Sequence, residues 1–365
     1  MTTPTSSDSN AGTKQTIRAP GNGRKARRKR RLEAQQRGDS GLFQAPFLHG
    51  NTVPGRLRLV DQAWKIWVSS WNHQCASPIV AVDVGIGDCP ETTMEWQAAI
   101  EDWLDPCFSC HLIGTEIDQQ RLQYAKDRMS SYPASSTVKV SFEWSGTDFQ
   151  LPSAATTKNG SSQFIRAMNV LRDYHIRDAC VALHRLYNQL DRNGILFEGS
   201  TNPTGSIAVA LILEKRQHDS AKIPIQGVIF GIDFEKTLCD ENNQPAQEDT
   251  TEASTIIPTT FPRNLTPPQW FQATLPRVWR HCFDASSTDD SVDNLPPWSH
   301  PLNEFLSVWH QLSQECETST MTARELWYGS IEKLGKLYEL CVENGILIWN
   351  NPVGLYVPDP SETFG

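Results

Sequence analysis

Residues 79–93, Ile-Val-Ala-Val-Asp-Val-Gly-Ile-Gly-Asp-Cys-Pro-Glu-Thr-Thr, constrain the fold more than any other stretch of the chain. An apolar run from Ile79 to Val82 meets an acid, Asp83. Gly85 and Gly87 follow at once, and then a pattern of helical period. The reading is a strand that feeds a tight backbone loop, which opens a helix. Glycine has no Cβ, so such a loop lets a ligand come close to the main chain. It points to an α/β architecture and a ligand of nucleotide type.

The flanking sequence repeats this strand-then-helix grammar. Apolar residues at three- and four-residue steps (Leu57, Val60, Trp64, Trp67 and Trp71) predict an amphipathic helix over 56–71. Strands are predicted over 79–84, 110–116, 138–144, 164–168 and 195–198, with helices over 90–104, 119–128 and 178–190 between them; Asn193-Gly194 reads as the turn that ends the last helix. Two extended runs, 207–214 and 224–234, close the sheet as a hairpin. Helices are predicted beyond them over 267–282, 302–316 and 323–343, with polar loops at 240–254 and 286–297. Strands alternating with helices imply a doubly wound, mostly parallel seven-stranded sheet carrying a helical C-terminal extension.

Charge divides the chain. Of its 365 residues, the first 40 hold ten Lys/Arg against three acids, whereas the whole chain is at −9. The remainder is therefore strongly acidic, and a broad nucleic-acid surface on the core is disfavoured. The segments read as a disordered basic tail (1–40), an N-terminal helical segment (41–78), a nucleotide-binding core (79–234), a flexible acidic insertion (235–260) and a helical, Trp-rich extension (261–365). No apolar stretch stands behind the basic segment, and none reaches the roughly 18 residues of a membrane span. Nine cysteines at irregular spacing fit reduced thiols. The expectation is a cytoplasmic protein with no membrane partner.

In an open parallel sheet the ligand lies beyond the carboxyl ends of the strands, where the strand order switches. Those ends carry Asp83, Gly85 and Gly87; Gly114-Thr115-Glu116-Ile117-Asp118; Gly146-Thr147-Asp148-Phe149; Arg166-Ala167-Met168-Asn169-Val170-Leu171; and Glu198. Over about residues 79–234 this series resembles the class I S-adenosylmethionine-dependent methyltransferases. Ala81 to Gly87 match the first motif, apolar-apolar-Asp-x-Gly-x-Gly, and the later segments follow in order. The resemblance implies a Rossmann-like methyltransferase fold with S-adenosylmethionine as cofactor. It implies that the main chain at Gly85 and Gly87 faces the methionine part, and that Asp83 supports the loop and holds the amino group. Glu116 would accept from the ribose hydroxyls, with Ile117 beside it. Asp148 would accept from the adenine amino group, with Phe149 against the ring. Asn169 would lie near the transferred methyl.

Cys89, preceded by Asp88, stands where the first motif has its third small residue. That departure supports a second reading, a non-catalytic binding protein that keeps the fold. A third, a NAD(P)-dependent oxidoreductase, needs a third glycine where this chain has Pro90. Methyl transfer requires a base only when the acceptor carries a proton at attack; Asn169, Glu198, Tyr174 and His175 lie near the strand ends as candidates. Cys107-Phe-Ser-Cys110-His111 matches a haem-attachment spacing but enters a predicted strand. No second Cys/His pair suggests zinc, so no metal is expected. The acceptor is unassigned. RNA is favoured by the tail, and next comes a small molecule in a pocket lined by Trp270, Trp279, Trp298, Trp309, Trp327 and Trp349, which otherwise form core.

Overall fold

The computed structural model describes residues 53–69, 78–87, 90–146, 148–153, 162–174, 176–216, 222–239, 265–271, 274–276, 279, 300–316 and 321–361. The chain divides into Met1–Phe47, which lies outside these residues, and a compact unit Leu48–Gly365. The predicted basic tail, Asp88, Cys89, Thr147, His175, Trp298 and both predicted polar loops are also outside the described residues.

Chain order is α1 (Arg58–Val68), β1 (Ile79–Val84), α2 (Glu91–Trp103), β2 (Cys110–Glu116), α3 (Gln119–Met129), β3 (Val138–Trp144), β4 (Ser162–Met168), a 3₁₀ turn (Leu171–Asp173), α4 (Ile176–Asn188), β5 (Leu190–Thr201) and β6 (Ile207–Glu214). It continues through β7 (Ile223–Pro224), β8 (Gly227–Ile232), α5 (Phe234–Cys239), α6 (Pro267–Trp270), α7 (His300–Cys316), α8 (Ala323–Leu334), β9 (Leu340–Glu343), β10 (Ile346–Asn350) and β11 (Tyr356–Val357). The main sheet runs β3-β2-β1-β4-β5-β6-β8-β10-β9. The β3-to-β5 half is parallel, and the pairings from β5 onward are antiparallel. The order reverses between β1 and β4, which makes the crevice at their carboxyl ends the place for a ligand.

The α/β architecture and the β6–β8 hairpin are as predicted, with three corrections. The sheet has nine strands, not seven, and the extension is not wholly helical. The helix expected over 323–343 stops at Leu334, and β9 and β10 add two strands to the antiparallel edge. Asn344 and Gly345 join them with φ of 49° and 81°; an Asn-Gly pair supplies the two left-handed residues that a two-residue hairpin needs. Asn193-Gly194 is also not a helix-ending turn. β5 already pairs at Leu190, and residues 191–194 bulge before pairing resumes at Ile195.

Side-chain alternation distributes the layers. Ala81, Phe164, Phe197, Ala210 and Ile229 face α1 and α2, packing on Val60, Trp64, Trp96 and Ile100. On the far side of β8, Phe230 meets Phe271, Phe305 and Trp309. The cap is an aromatic core. Trp279, Trp309 and Trp327 are fully enclosed, Trp270 and Trp349 nearly so, and Trp349 stacks on Phe305 with centroids 4.1 Å apart. These tryptophans are filled volume rather than the wall of an acceptor pocket.

Candidate functional site at the carboxyl edge of the sheet

The glycine loop has the geometry that the sequence requires. Gly85 and Gly87 have φ of 72° and 74°, a region that side-chain-bearing residues avoid. A Cβ on Gly85 would stand 2.8 Å from Val170 Cγ2. The Gly85 and Ile86 amides both donate to the Thr115 carbonyl (2.9 and 3.1 Å), which pins the loop to the end of β2.

Glu116 completes the cradle. Its Oε2 accepts from the Gly87 amide at 2.8 Å, and Oε1 accepts from the Ile117 and Asp118 amides, each at 3.0 Å. A carboxylate offers about four acceptor sites, so capacity remains for a ligand hydroxyl. Burial raises the proton affinity of Glu116, opposed by these backbone donors. Ile117 is half-buried, and the exposed Trp144 indole donates to its carbonyl at 3.1 Å. Asp148 is exposed; its Oδ1 accepts from the Gln150 amide at 3.2 Å. Phe149, at φ 58°, packs edge-on against Tyr174 with centroids 5.5 Å apart. Burial first, then the charges of Asp178 and Glu116, push the Tyr174 phenol up to about 12, so near neutral pH it is a proton donor and not a base. The structure thus joins Gly85, Gly87, Glu116 and Ile117 at the ends of β1 and β2, and pairs Phe149, beyond β3, with Tyr174, beyond β4.

Asn169 is adjacent but committed. Its Nδ2 donates to Thr201 Oγ1 at 3.1 Å and its Oδ1 accepts from the Thr201 amide at 2.9 Å, tying β4 to β5. The segment before α1 crosses this end of the sheet. Arg56 Nε donates to Thr201 Oγ1 at 3.0 Å, the Gly55 amide donates to Glu95 at 2.6 Å, and Lys236 donates to the Gly55 carbonyl at 3.0 Å.

Two predicted site residues lie elsewhere. Glu198 is 1% exposed and inside β5, three residues short of its end. It faces α4, where its charge helps raise the buried Cys180 thiol. Asp83 is 3% exposed and points beneath α2. Its Oδ1 accepts from Arg166 Nε at 3.0 Å; its Oδ2 accepts from Arg166 Nη2 at 2.6 Å and from Thr93 Oγ1 at 2.7 Å. Arg166 stands opposite Asp83 in the β1–β4 register and also bonds Asp61 on α1 and the Thr92 carbonyl. Sequence reading placed Arg166 at the end of the fourth strand without a role, and missed Asp61. The available signal was an arginine inside Ser162–Met168, an otherwise buried strand, because a buried charge has to be paired.

Cys110 and His111 are successive strand residues that point to opposite faces, so they do not form a joint ligand pair with Cys107. Among the described residues no group of three His, Cys, Asp or Glu is placed to hold a metal, and no helix is long and apolar enough to cross a membrane. A cleft of about 360 Å³ opens at the end of β8, bounded by Arg58, Gln62, Phe234, Arg324, Tyr328 and Asn344.

No protein-family model and no curated protein matches this chain. Solved structures overlap with part of it. Magnesium protoporphyrin IX methyltransferase (ChlM) from Synechocystis PCC 6803 with bound SAH is 13% identical, over 47% of this chain and 66% of that one, at a TM-score of 0.30. The LepI complex with SAM is 16% identical, over 42% of this chain and 34% of that one, at 0.29. The N-methyltransferase NodS from Bradyrhizobium japonicum WM9 with SAH is 16% identical, over 46% of this chain and 71% of that one, at 0.27. At such scores the likeness carries no argument about activity, which rests on this chain's own residues.

Proposed function

We propose that this protein is an S-adenosylmethionine-dependent methyltransferase. One observation carries the reading: two left-handed glycines after β1 are joined through the Gly87 amide to the Glu116 carboxylate at the end of β2, beside the point where the strand order reverses. The residues present fit the cofactor. Gly85 is exposed at the loop, Glu116 keeps acceptor capacity for ribose hydroxyls, and Ile117, Asp148 and Phe149 would flank the adenine. The bound cofactor supplies an already activated methyl group. The chain has then mainly to position the acceptor in line, and the Asn169–Thr201 lock holds the ends of β4 and β5 for that purpose.

For the acceptor, RNA is supported by the tail, with ten Lys/Arg in residues 1–40, through phosphate contacts and counterion release. A small molecule is supported by the cleft at the end of β8. Deleting residues 1–40 is expected to weaken RNA binding and flatten its salt dependence, as read by fluorescence anisotropy across a salt series. Equal binding by the shortened chain would remove RNA from first place.

Calorimetric titration with S-adenosylhomocysteine, with NAD in parallel, tests the cofactor assignment. Micromolar affinity for the first and none for the second is expected. Binding without methyl transfer to any acceptor would favour the non-catalytic binding protein. NAD binding would favour the oxidoreductase, which Pro90, the residue that caps α2, disfavours.

A further inference from the structure

Arg166 is the most completely buried cation among the described residues, with 2% exposure. It lies between α1, β1 and α2: Asp61 on the first, Asp83 on the second, the Thr92 carbonyl at 2.9 Å on the third, and the Trp96 ring beneath it at 4.5 Å. Each contact reaches an element next to the glycine loop. β1 leads into that loop, α2 leads out of it, and α1 covers both. The Asp83 carboxylate receives three hydrogen bonds within this cluster and is shut off from the carboxyl edge.

We propose that Arg166 and Asp61 are positioning residues for the cofactor site: they hold Asp83 turned beneath α2, so that its carboxylate does not contact the amino-acid end of the cofactor. The inference rests on the methyltransferase reading and departs from what the family resemblance implies for Asp83. Acting through Asp83 and Thr92, the clamp fixes where β1 ends and α2 begins, on either side of Gly85 and Gly87.

The clamp has a titratable member. Burial raises the Asp61 carboxyl to about 7; the Asp83 and Glu95 charges add to the rise and Arg166 opposes it. The charged groups facing Asp61 are Arg166 from β4, Asp83 from β1 and Glu95 from α2. Arg58 and Lys65 of α1 line the same groove, and Lys65 is paired with Asp102. Below about pH 7 the cluster holds one positive and one negative charge. Above it, Asp61 ionises and completes the second ion pair to Arg166. In folding, a proton held up to about 7 but released near 4 when unfolded favours the native state most below pH 4. That contribution is lost as pH rises through 7. Loop positioning runs the other way and tightens as Asp61 ionises.

The test is S-adenosylhomocysteine affinity of the full chain from pH 6 to 8.5, for wild type, Asp61→Asn and Arg166→Lys. Wild type is expected to bind about fivefold or more tightly above pH 7 than below. Asp61→Asn should give a flat profile at the low-pH level. Arg166→Lys, which cannot bridge both carboxylates with a planar fork, should bind weakly throughout. A second measurement, on wild type and Asp83→Asn, compares S-adenosylhomocysteine with its analogue lacking the α-amino group. The loss on deamination should be the same in both proteins within about twofold, whereas a direct contact would couple them by about tenfold or more. Coupling of that size, or an Asp61→Asn profile that keeps the wild-type step, overturns the inference while leaving the cofactor reading intact. Failure of wild type to bind S-adenosylhomocysteine at any pH overturns both.

Discussion

Arg166→Ala is expected to lower the free energy of unfolding by about 3–5 kcal/mol, the cost of removing one partner from a buried ion pair and leaving the other charged. The expectation is large because two carboxylates depend on one guanidinium. Asp83 and Asp61 are 3% and 6% exposed, and Arg166 supplies most of the donors within reach of them. The vacated volume also removes the cation from the Trp96 ring and leaves a cavity under α2. Urea unfolding would read the loss as a lower midpoint at unchanged slope. A loss below about 1 kcal/mol would mean that solvent screens the cluster as it does a surface pair, and the packing of α1 against α2 would have to be attributed to Trp64 and Trp96 alone.

The second large effect is on binding. Glu116→Ala should weaken S-adenosylhomocysteine by about tenfold to a hundredfold, since hydrogen bonds to a charged group contribute about 1.5–3 kcal/mol and each 1.4 kcal/mol is a factor of ten. Two losses combine: the acceptor for the ribose hydroxyls, and the anchor of the Gly87 amide at 2.8 Å that shapes the glycine loop. Glu116→Gln, which keeps the shape and one acceptor oxygen, should fall between wild type and alanine. The comparison is calorimetric, with the thermal midpoint of each variant alongside, because Glu116 also accepts from the Ile117 and Asp118 amides and its removal loosens the start of α3. Affinity unchanged in a folded Glu116→Ala protein would place the ribose elsewhere and remove the main support for the cofactor assignment.

The division between what is written locally and what is decided by packing is visible in particular residues. β1, β2, β3 and β6 begin and end where the sequence places them, because an apolar run, as in β1 and β6, or an apolar-polar alternation, as in the edge strand β3, closed by turn chemistry is a local signal. Gly85 and Gly87 were legible for the same reason: only glycine takes a left-handed φ there without strain. Glu116 beside them was legible from its place at a strand end. The β9–β10 hairpin was marked by Asn344-Gly345, but the helical period of the preceding residues concealed it, and its acceptance into the sheet depends on the free edge of β8.

Direction and partnership of charged side chains were not legible. Asp83 reads as a ligand-facing acid by position, yet strand parity turns it toward α1 and α2, where an arginine 83 residues later in the chain claims both its oxygens. Glu198 reads as a strand-end acid, yet β5 runs on to Thr201 and leaves it enclosed. Asn169 reads as open to the acceptor, yet Thr201 engages its amide. By itself the sequence determined the strand-loop-helix units and the glycines at their junctions, because backbone conformation and apolar periodicity are properties of neighbouring residues. The tertiary structure alone decided which acids face the site and which are locked beneath it, because a buried charge turns toward the counter-charge that the fold brings to it.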